Sequence, residues 1–158
     1  MSDAVTIYTD GSARGNPGPG GYGAILLFGD HRKELAQGYR RTTNNRMELL
    51  AVIAALQALT RKGLRLTIYS DSQYVVKAVE EKWLDKWIRT NFKGGKKNRD
   101  LWEEYHALAQ HHHIRFHWVK GHAENQLNNR CDELATQAAD SATHKLLVDE
   151  AYESGIND

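Results

Sequence analysis

The sequence predicts an α/β domain in which three antiparallel strands precede alternating helices and strands. Short stretches of alternating apolar and polar residues, rich in β-branched and aromatic side chains, indicate the strands. Apolar residues at helical spacing indicate helices between the later strands. The length of 158 residues fits one domain with a substantial core. We expect that domain over residues 1–140 and a C-terminal tail, 141–158, that either docks or frays.

The elements follow in order along the chain. The predicted meander consists of strand 5–10, a glycine-rich turn over 11–23, and strands 24–28 and 33–41. A helix over 44–59 follows, with Thr43 or Asn44 as its N-cap. The remaining elements are strand 64–70, a helix capped by Asp71 and Ser72 that ends at 79, helices 83–90 and 100–111, strand 114–119 and helix 128–139.

The segment GPGGYG, residues 18–23, matches the G-x-G-x-x-G pattern of dinucleotide-binding sites. That fingerprint must open a helix, whereas the AILLF that follows here is typical of a strand. Pro17 and Pro19 favour a wide hairpin turn. We therefore interpret the segment as part of the turn, and the absence of a Walker lysine after the glycines argues against a P-loop.

Four carboxylates occupy unusual positions. Asp10 and Asp71 end two predicted strands, Glu48 interrupts the apolar run of MELLAVIAAL, and Asp132 begins DELATQAA. A buried carboxylate needs a hydrogen-bond donor, a cation or a metal to offset its desolvation. Ligand sites of open α/β sheets lie beyond the carboxyl ends of the strands. Together the four side chains predict a divalent-metal site.

Each carboxylate alone also has a structural interpretation. Asp132 could be a first-turn residue favoured by the helix dipole. Asp71 could be a helix cap, and Glu48 could form an ion pair with Arg46. The occurrence of all four in one chain favours the metal site.

Charge and cysteine content narrow the classes of function. A formal net charge of +1 excludes a uniformly basic protein that coats DNA, but local basic patches can still bind nucleic acid. The single Cys131 cannot form an internal disulfide and the N-terminal residues lack a signal-peptide pattern, so we expect a reducing, cytoplasmic location. No apolar stretch is long enough to span a bilayer, so we expect no membrane association.

Four segments in order resemble the bacterial type 1 ribonuclease H family: YTDGSARGNPGPGGYGA, TTNNRMELLAVIAAL, YSDSQYVV, and WVKGH followed by NNRCDELA. The resemblance runs over nearly the whole chain. It implies a ribonuclease H-like fold, with a five-stranded mixed sheet flanked by helices on both faces. It also implies a monomeric endonuclease without an obligate protein partner, which cuts the RNA strand of RNA/DNA hybrids and leaves 5′-phosphate and 3′-hydroxyl ends.

The same resemblance assigns the acidic metal site to Asp10, Glu48, Asp71 and Asp132, and a mobile histidine to His122. Two Mg²⁺ ions about 3.5–4 Å apart would bind there with substrate, and Mn²⁺ could replace them. Asp10 would bridge the ions, flanked by Asp71 and Asp132, and Glu48 would anchor the second ion and orient the water. His122, whose unperturbed pKa is near 6.5, would shuttle a proton or help the product leave.

Substrate contacts are implied beside the metals and in a basic segment. Asn16, Asn44, Asn45 and Gln73 would read the minor groove, Thr43 would lie near a DNA phosphate, and backbone amides around Gly11 would assist. The basic segment, residues 82–99, would hold the DNA strand through Trp83, Lys86, Trp87, Lys93, Lys96 and Lys97. The structural alternatives are turn and cap chemistry for Asn16 and Asn44, and a solvated amphipathic helix with buried tryptophans for the basic segment.

Two other classes of function compete with the nuclease. A non-catalytic module that binds RNA/DNA hybrids would keep the asparagines and the basic segment, but it would not need all four carboxylates. An actin-like ATPase half-domain would need a second lobe to enclose its nucleotide, and this chain is too short to supply one.

Overall fold

A computed structural model describes residues 3–94, 97–120 and 125–155. Its strands are β1 (Ala4–Ala13), β2 (Gly18–Phe28), β3 (His31–Thr42), β4 (Arg65–Ser70) and β5 (His113–Trp118). They form one sheet in the order β3-β2-β1-β4-β5. The pairs β1–β2 and β2–β3 are antiparallel, whereas β1–β4 and β4–β5 are parallel. The predicted mixed sheet of five strands is therefore confirmed.

The described residues include the helices α1 (Asn44–Gln57), α2 (Gln73–Glu80), α3 (Trp83–Arg89), α4 (Arg99–Ala109), α5 (Gln126–Ala139) and α6 (Glu150–Glu153). A short 3₁₀ turn covers Thr143–Lys145. Among the helices that the structure describes, none is long and apolar enough to cross a membrane.

Helices cover both faces of the sheet, as predicted. Successive residues of a strand point to opposite faces, and the two faces are buried by different helices. The main core places Ile7 and Ile68 of the sheet against Leu49 and Ile53 of α1. A smaller cluster joins Ile25 on the opposite face to Cys131 and Leu134 of α5.

The predicted glycine-rich turn over 11–23 is wrong, because β1 continues to Ala13 and β2 already begins at Gly18. The glycines are strand residues that touch a helix. A Cβ on Gly21 would lie 2.5 Å from the carbonyl oxygen of Ala135, and one on Gly23 would lie 2.6 Å from that of Cys131. Glycine here permits close packing of α5 on the sheet. The other predicted boundaries agree with the structure to within two residues.

The chain after α5 returns along β3 toward α1. Leu147 forms a bridge with β3, in which its N–H donates to the carbonyl of Gly38 at 3.0 Å and its carbonyl accepts from Arg40 N at 2.9 Å. Further along, the buried Asp149 accepts a hydrogen bond from the hydroxyl of Thr42 at 2.7 Å. These contacts place α6 beside the N-terminal end of α1.

Candidate metal centre and nucleic-acid interface

Three of the four predicted metal ligands meet at one edge of the sheet. A carboxylate oxygen from each of Asp10, Glu48 and Asp71 lies within 4.8 Å of the other two. The parallel pairing of β1 with β4 explains two of them, because its register ends at Thr9 opposite Ser70 and leaves the two aspartates side by side. The third ligand comes from the second turn of α1.

Gly11 allows α1 to approach the end of β1. A Cβ on this residue would lie 2.3 Å from the carbonyl carbon of Met47 and 2.4 Å from the backbone nitrogen of Glu48. Any other residue type would force the helix away from the strand. Gly11 therefore sets the distance between Glu48 and Asp10.

Burial and neighbouring negative charges raise the pKa of two carboxyl groups in this site, those of Asp10 and Glu48. Burial raises the pKa of Asp10 to about 8, with the charges of Asp71 and Asp132 adding to the effect and the Gly11 N–H, 2.8 Å from Asp10 Oδ1, opposing it. Burial and the charges of Asp10 and Asp71 likewise raise the pKa of Glu48 well above its usual range. A positive charge at this point would relieve both effects.

Two carboxylate oxygens of the cluster lack a hydrogen-bond partner among the described residues and could bind a cation. Glu48 Oε1 and Asp71 Oδ1 are buried and have no hydrogen-bond partner among the described residues. The alternative ion pair between Glu48 and Arg46 is not formed among the described residues. The guanidinium of Arg46 instead pairs with Asp100 and Asp149, at 2.7 Å each. Hard, unpaired carboxylate oxygens are the ligands that Mg²⁺ prefers, so the residues fit a divalent metal.

The structural alternatives for the two aspartates, a helix cap for Asp71 and a first-turn position for Asp132, are wrong. The N-cap of α2 is Ser72, whose hydroxyl accepts from Val75 N at 3.2 Å, rather than Asp71. Asp132 lies beyond the first turn of α5, which begins at Gln126. Asp132 is exposed and stands outside the group of three, but its charge reaches Asp10. Its part as a fourth ligand stays a prediction.

Two predicted site residues, His122 and Lys96, lie outside the described residues. A further residue, Trp118, contacts the metal centre, although the sequence analysis did not single it out. Its indole N–H donates to the backbone carbonyl of Asp71 at 3.1 Å, and 42 % of its surface is exposed. Only the pairing of β4 with β5 brings the two residues together, so no local pattern could have indicated the contact.

The asparagines beside the metal centre hold one another in place. Asn16 Oδ1 accepts from Asn44 N at 2.9 Å, and Asn44 Oδ1 accepts from Ala13 N at 2.6 Å. Thr43 is the N-cap of α1 and accepts from Arg46 N at 3.3 Å. The structural alternative for Asn16 and Asn44 is thus present. Their carbonyl oxygens carry these contacts, so their side-chain amino groups can still donate to a ligand.

A polar cavity of about 440 Å³ opens beside these residues. Its lining consists of Asn16, Pro17, Thr43, Asn44, Asn45, Lys97, Asn98 and Tyr152. The sequence analysis did not single out Asn98 or Tyr152, because neither lies in a recognisable motif. Gln73, the exposed first residue of α2, follows Asp71 at the metal centre by two positions.

The basic segment forms a second cavity, of about 530 Å³, lined by Trp83, Lys86, Trp87, Thr90 and Lys93. Trp83 is 41 % exposed, whereas Trp87 packs on Phe92 and on the buried Trp102 at centroid distances of 6.5 and 5.9 Å. One tryptophan therefore belongs to the core and the other is available at the surface. Lys97 contributes to the first cavity instead.

The chain is similar to known proteins over most of its length. The family model described as RNase H matches residues 2–140. A ribonuclease H of Lachnoclostridium phytofermentans is 56 % identical over 146 residues, which cover 86 % of this chain and 92 % of the relative.

Solved structures share the fold. LC9-RNase H1, a type 1 RNase H with the type 2 active-site motif, has a TM-score of 0.77 and 29 % identity over 98 % of this chain and 81 % of its own. LC11-RNase H1, solved in complex with an RNA/DNA hybrid, has a TM-score of 0.65 and 24 % identity over 86 % and 96 %. With its fold, its acidic cluster and these relatives, the chain belongs to the ribonuclease H family of hydrolytic nucleases.

Proposed function

We propose that this chain hydrolyses the RNA strand of RNA/DNA hybrids with two divalent metal ions, leaving 5′-phosphate and 3′-hydroxyl ends. The supporting observation is the convergence of Asp10, Glu48 and Asp71 within 4.8 Å, with two buried oxygens that lack partners among the described residues. A non-catalytic hybrid-binding module would gain nothing from such an arrangement, since unpaired buried carboxylates cost stability.

Asp10, Glu48, Asp71 and Asp132 would hold the ions, with Mg²⁺ as the natural metal and Mn²⁺ as a substitute. When bound, such ions lower the pKa of a water and stabilise the leaving 3′ oxygen. Asp10 is oriented by the Gly11 N–H. The backbone of Asp71 is held by the indole N–H of Trp118, which donates to its carbonyl oxygen.

His122 is proposed to move a proton or to assist product release. A histidine suits this work because its unperturbed pKa, near 6.5, lets it gain and lose a proton around neutral pH. Its proposed role rests on the family resemblance of the segment WVKGH.

Hybrid recognition is proposed for two surfaces. Asn16, Asn44, Asn45 and Gln73 would donate to 2′-hydroxyls and base edges in the shallow minor groove, next to Gly11 and Thr43. The basic segment would hold the DNA strand with Trp83, Lys86 and Lys93 at the second cavity, beside Trp87, whose ring also packs on the core, and with Lys96 and Lys97 of the same segment. Contacts to backbone and hydroxyls carry little sequence information, so cleavage should be largely independent of sequence.

We further propose that residues 1–140 act as a monomeric domain in the cytoplasm, with 141–158 as a C-terminal tail that docks on this domain through Leu147 and Asp149. The single cysteine, which is buried, supports a reducing compartment.

The test is Mg²⁺-dependent cleavage of an end-labelled RNA/DNA hybrid beside matched RNA/RNA and DNA/DNA duplexes. Wild type is compared with Asp10→Asn, and circular dichroism verifies that the variant is folded. We expect cleavage of the hybrid's RNA strand alone, with activity lost in the variant. Binding without cleavage under both Mg²⁺ and Mn²⁺ would replace the nuclease with the binding module.

A further inference from the structure

The C-terminal segment contributes a side chain to the cavity beside the predicted groove readers. The family model ends at residue 140, yet Tyr152 of α6 lines the 440 Å³ cavity together with Asn16, Thr43, Asn44 and Lys97. We propose that Tyr152 binds the sugar-phosphate backbone of the hybrid, and that Asp149 positions it. This inference rests on the proposed function, because it names a further part of the same substrate site.

The chemistry of the cavity fits a phosphodiester. Among the described residues its lining contains no carboxylate, one ammonium group and several neutral donors. The side-chain amide of Asn98 already serves two neighbours: it accepts from Arg46 Nη1 at 3.2 Å and donates to the Tyr74 hydroxyl at 3.2 Å. Tyr152 lines the same cavity, and a phenol hydroxyl can donate to a phosphate oxygen.

Asp149 determines the position of Tyr152. It is the N-cap of α6, and its Oδ1 accepts from Tyr152 N at 3.4 Å. The same carboxylate accepts from Arg46 Nε at 2.7 Å and Nη2 at 3.0 Å. Arg46 belongs to α1, two residues after Asn44, so one carboxylate connects the helix that carries Tyr152 to the helix that carries the groove readers.

This connection is rigid because it is buried. Arg46 is 1 % exposed and Asp149 is 5 % exposed, and the guanidinium is also held by Asp100 at 2.7 Å. A second contact, between Arg40 and Glu153 at 2.8 Å, lies at the surface and adds little. Bidentate, desolvated pairs define geometry more tightly than exposed ones. The position of Tyr152 therefore depends mainly on Asp149.

The first test is hybrid affinity of the full chain, measured by fluorescence anisotropy without divalent metal so that no cleavage occurs. Tyr152→Phe removes only the hydroxyl, and Glu150→Gln on the same short helix is the matched control. We expect Tyr152→Phe to weaken binding about ten- to a hundredfold, the loss of one hydrogen bond to a charged group, and the control to bind like wild type. Wild-type affinity in Tyr152→Phe would overturn the proposal.

The second test separates binding from chemistry. In Mg²⁺, Tyr152→Phe should raise KM for the hybrid by a similar factor and leave kcat unchanged. Asp149→Asn, compared below its thermal transition, should raise KM in the same way. A fall in kcat at unchanged KM would overturn the inference. If wild type binds the hybrid but cuts nothing, the proposed function fails, while the anisotropy result still decides the role of Tyr152.

Discussion

Replacing Asp10 by asparagine should stabilise the metal-free protein at high pH. The side chain keeps its size and an oxygen that can accept from the Gly11 N–H, now 2.8 Å from Asp10 Oδ1. It loses one of three carboxyl groups whose oxygens lie within 4.8 Å of one another. At pH 9 and without metal, the substitution removes a buried negative charge that destabilises the folded protein.

The size of the effect follows from the pKa of Asp10, which the fold raises from an ordinary value of about 3.9 to about 8. A raised pKa contributes stability that is complete below about pH 4 and is lost as the pH rises through about 8. A difference of about four pKa units sets a ceiling of about 6 kcal/mol. Because Glu48 can take the shared proton instead, we expect a gain of about 2–3 kcal/mol for the variant at pH 9.

The assay is urea unfolding in EDTA between pH 4 and pH 9. Wild type and Asp10→Asn should have nearly equal free energies of unfolding at pH 4, diverge progressively above that pH and reach a constant difference above about pH 8, whereas the exposed Asp30→Asn should track wild type throughout. Adding Mg²⁺ at 100 times its Kd should restore about 2.7 kcal/mol to wild type and nothing to the variant. An Asp10→Asn protein that is no more stable than wild type at pH 9 would refute this account of the site.

Three further predictions concern residues that support the site. Gly11→Ala should cost about 3 kcal/mol or more and abolish cleavage, because its Cβ would lie 2.3 Å from the backbone of α1; unfolding and turnover measure both. Trp118→Phe should weaken Mg²⁺ binding about three- to tenfold in calorimetry, since the hydrogen bond to the Asp71 carbonyl is lost. Arg46→Met should cost about 3–5 kcal/mol in urea unfolding, because it leaves the buried carboxylate of Asp149 without its guanidinium partner. Arg40→Met, which breaks an exposed pair, should cost under about 1 kcal/mol.

Each of these expectations has an outcome that contradicts it. An active, stable Gly11→Ala protein would show that α1 can shift without harm to the site. Unchanged Mg²⁺ affinity in Trp118→Phe would show that the indole does not help to orient Asp71. Equal losses in the two arginine variants would mean that burial does not distinguish the two ion pairs.

Local patterns were enough to predict the strands, the first helix and the three clustered carboxylates. Asp10 and Asp71 could be placed at one sheet edge because strand periodicity is a local signal and parallel strands end together. The glycines of β2 were misassigned because their reason is a tertiary contact with α5. The pairing of Arg46 with Asp149 spans 103 positions, and nothing near either residue indicates it.

The central place of β1 also governs when the enzyme can first act during its synthesis. Its antiparallel partner β2 is the next strand to leave the ribosome, but its parallel partner β4 begins only at Arg65, opposite Ala4. Asp10 and Asp71 therefore come together only after that distant pairing has formed, a slow event compared with closing a hairpin. A growing or truncated chain that stops before β4 can build the hairpin without building the metal centre. Under the proposed function, a nascent chain therefore cannot cut a hybrid before residue 71 of its 158 has been made and β4 has docked beside β1.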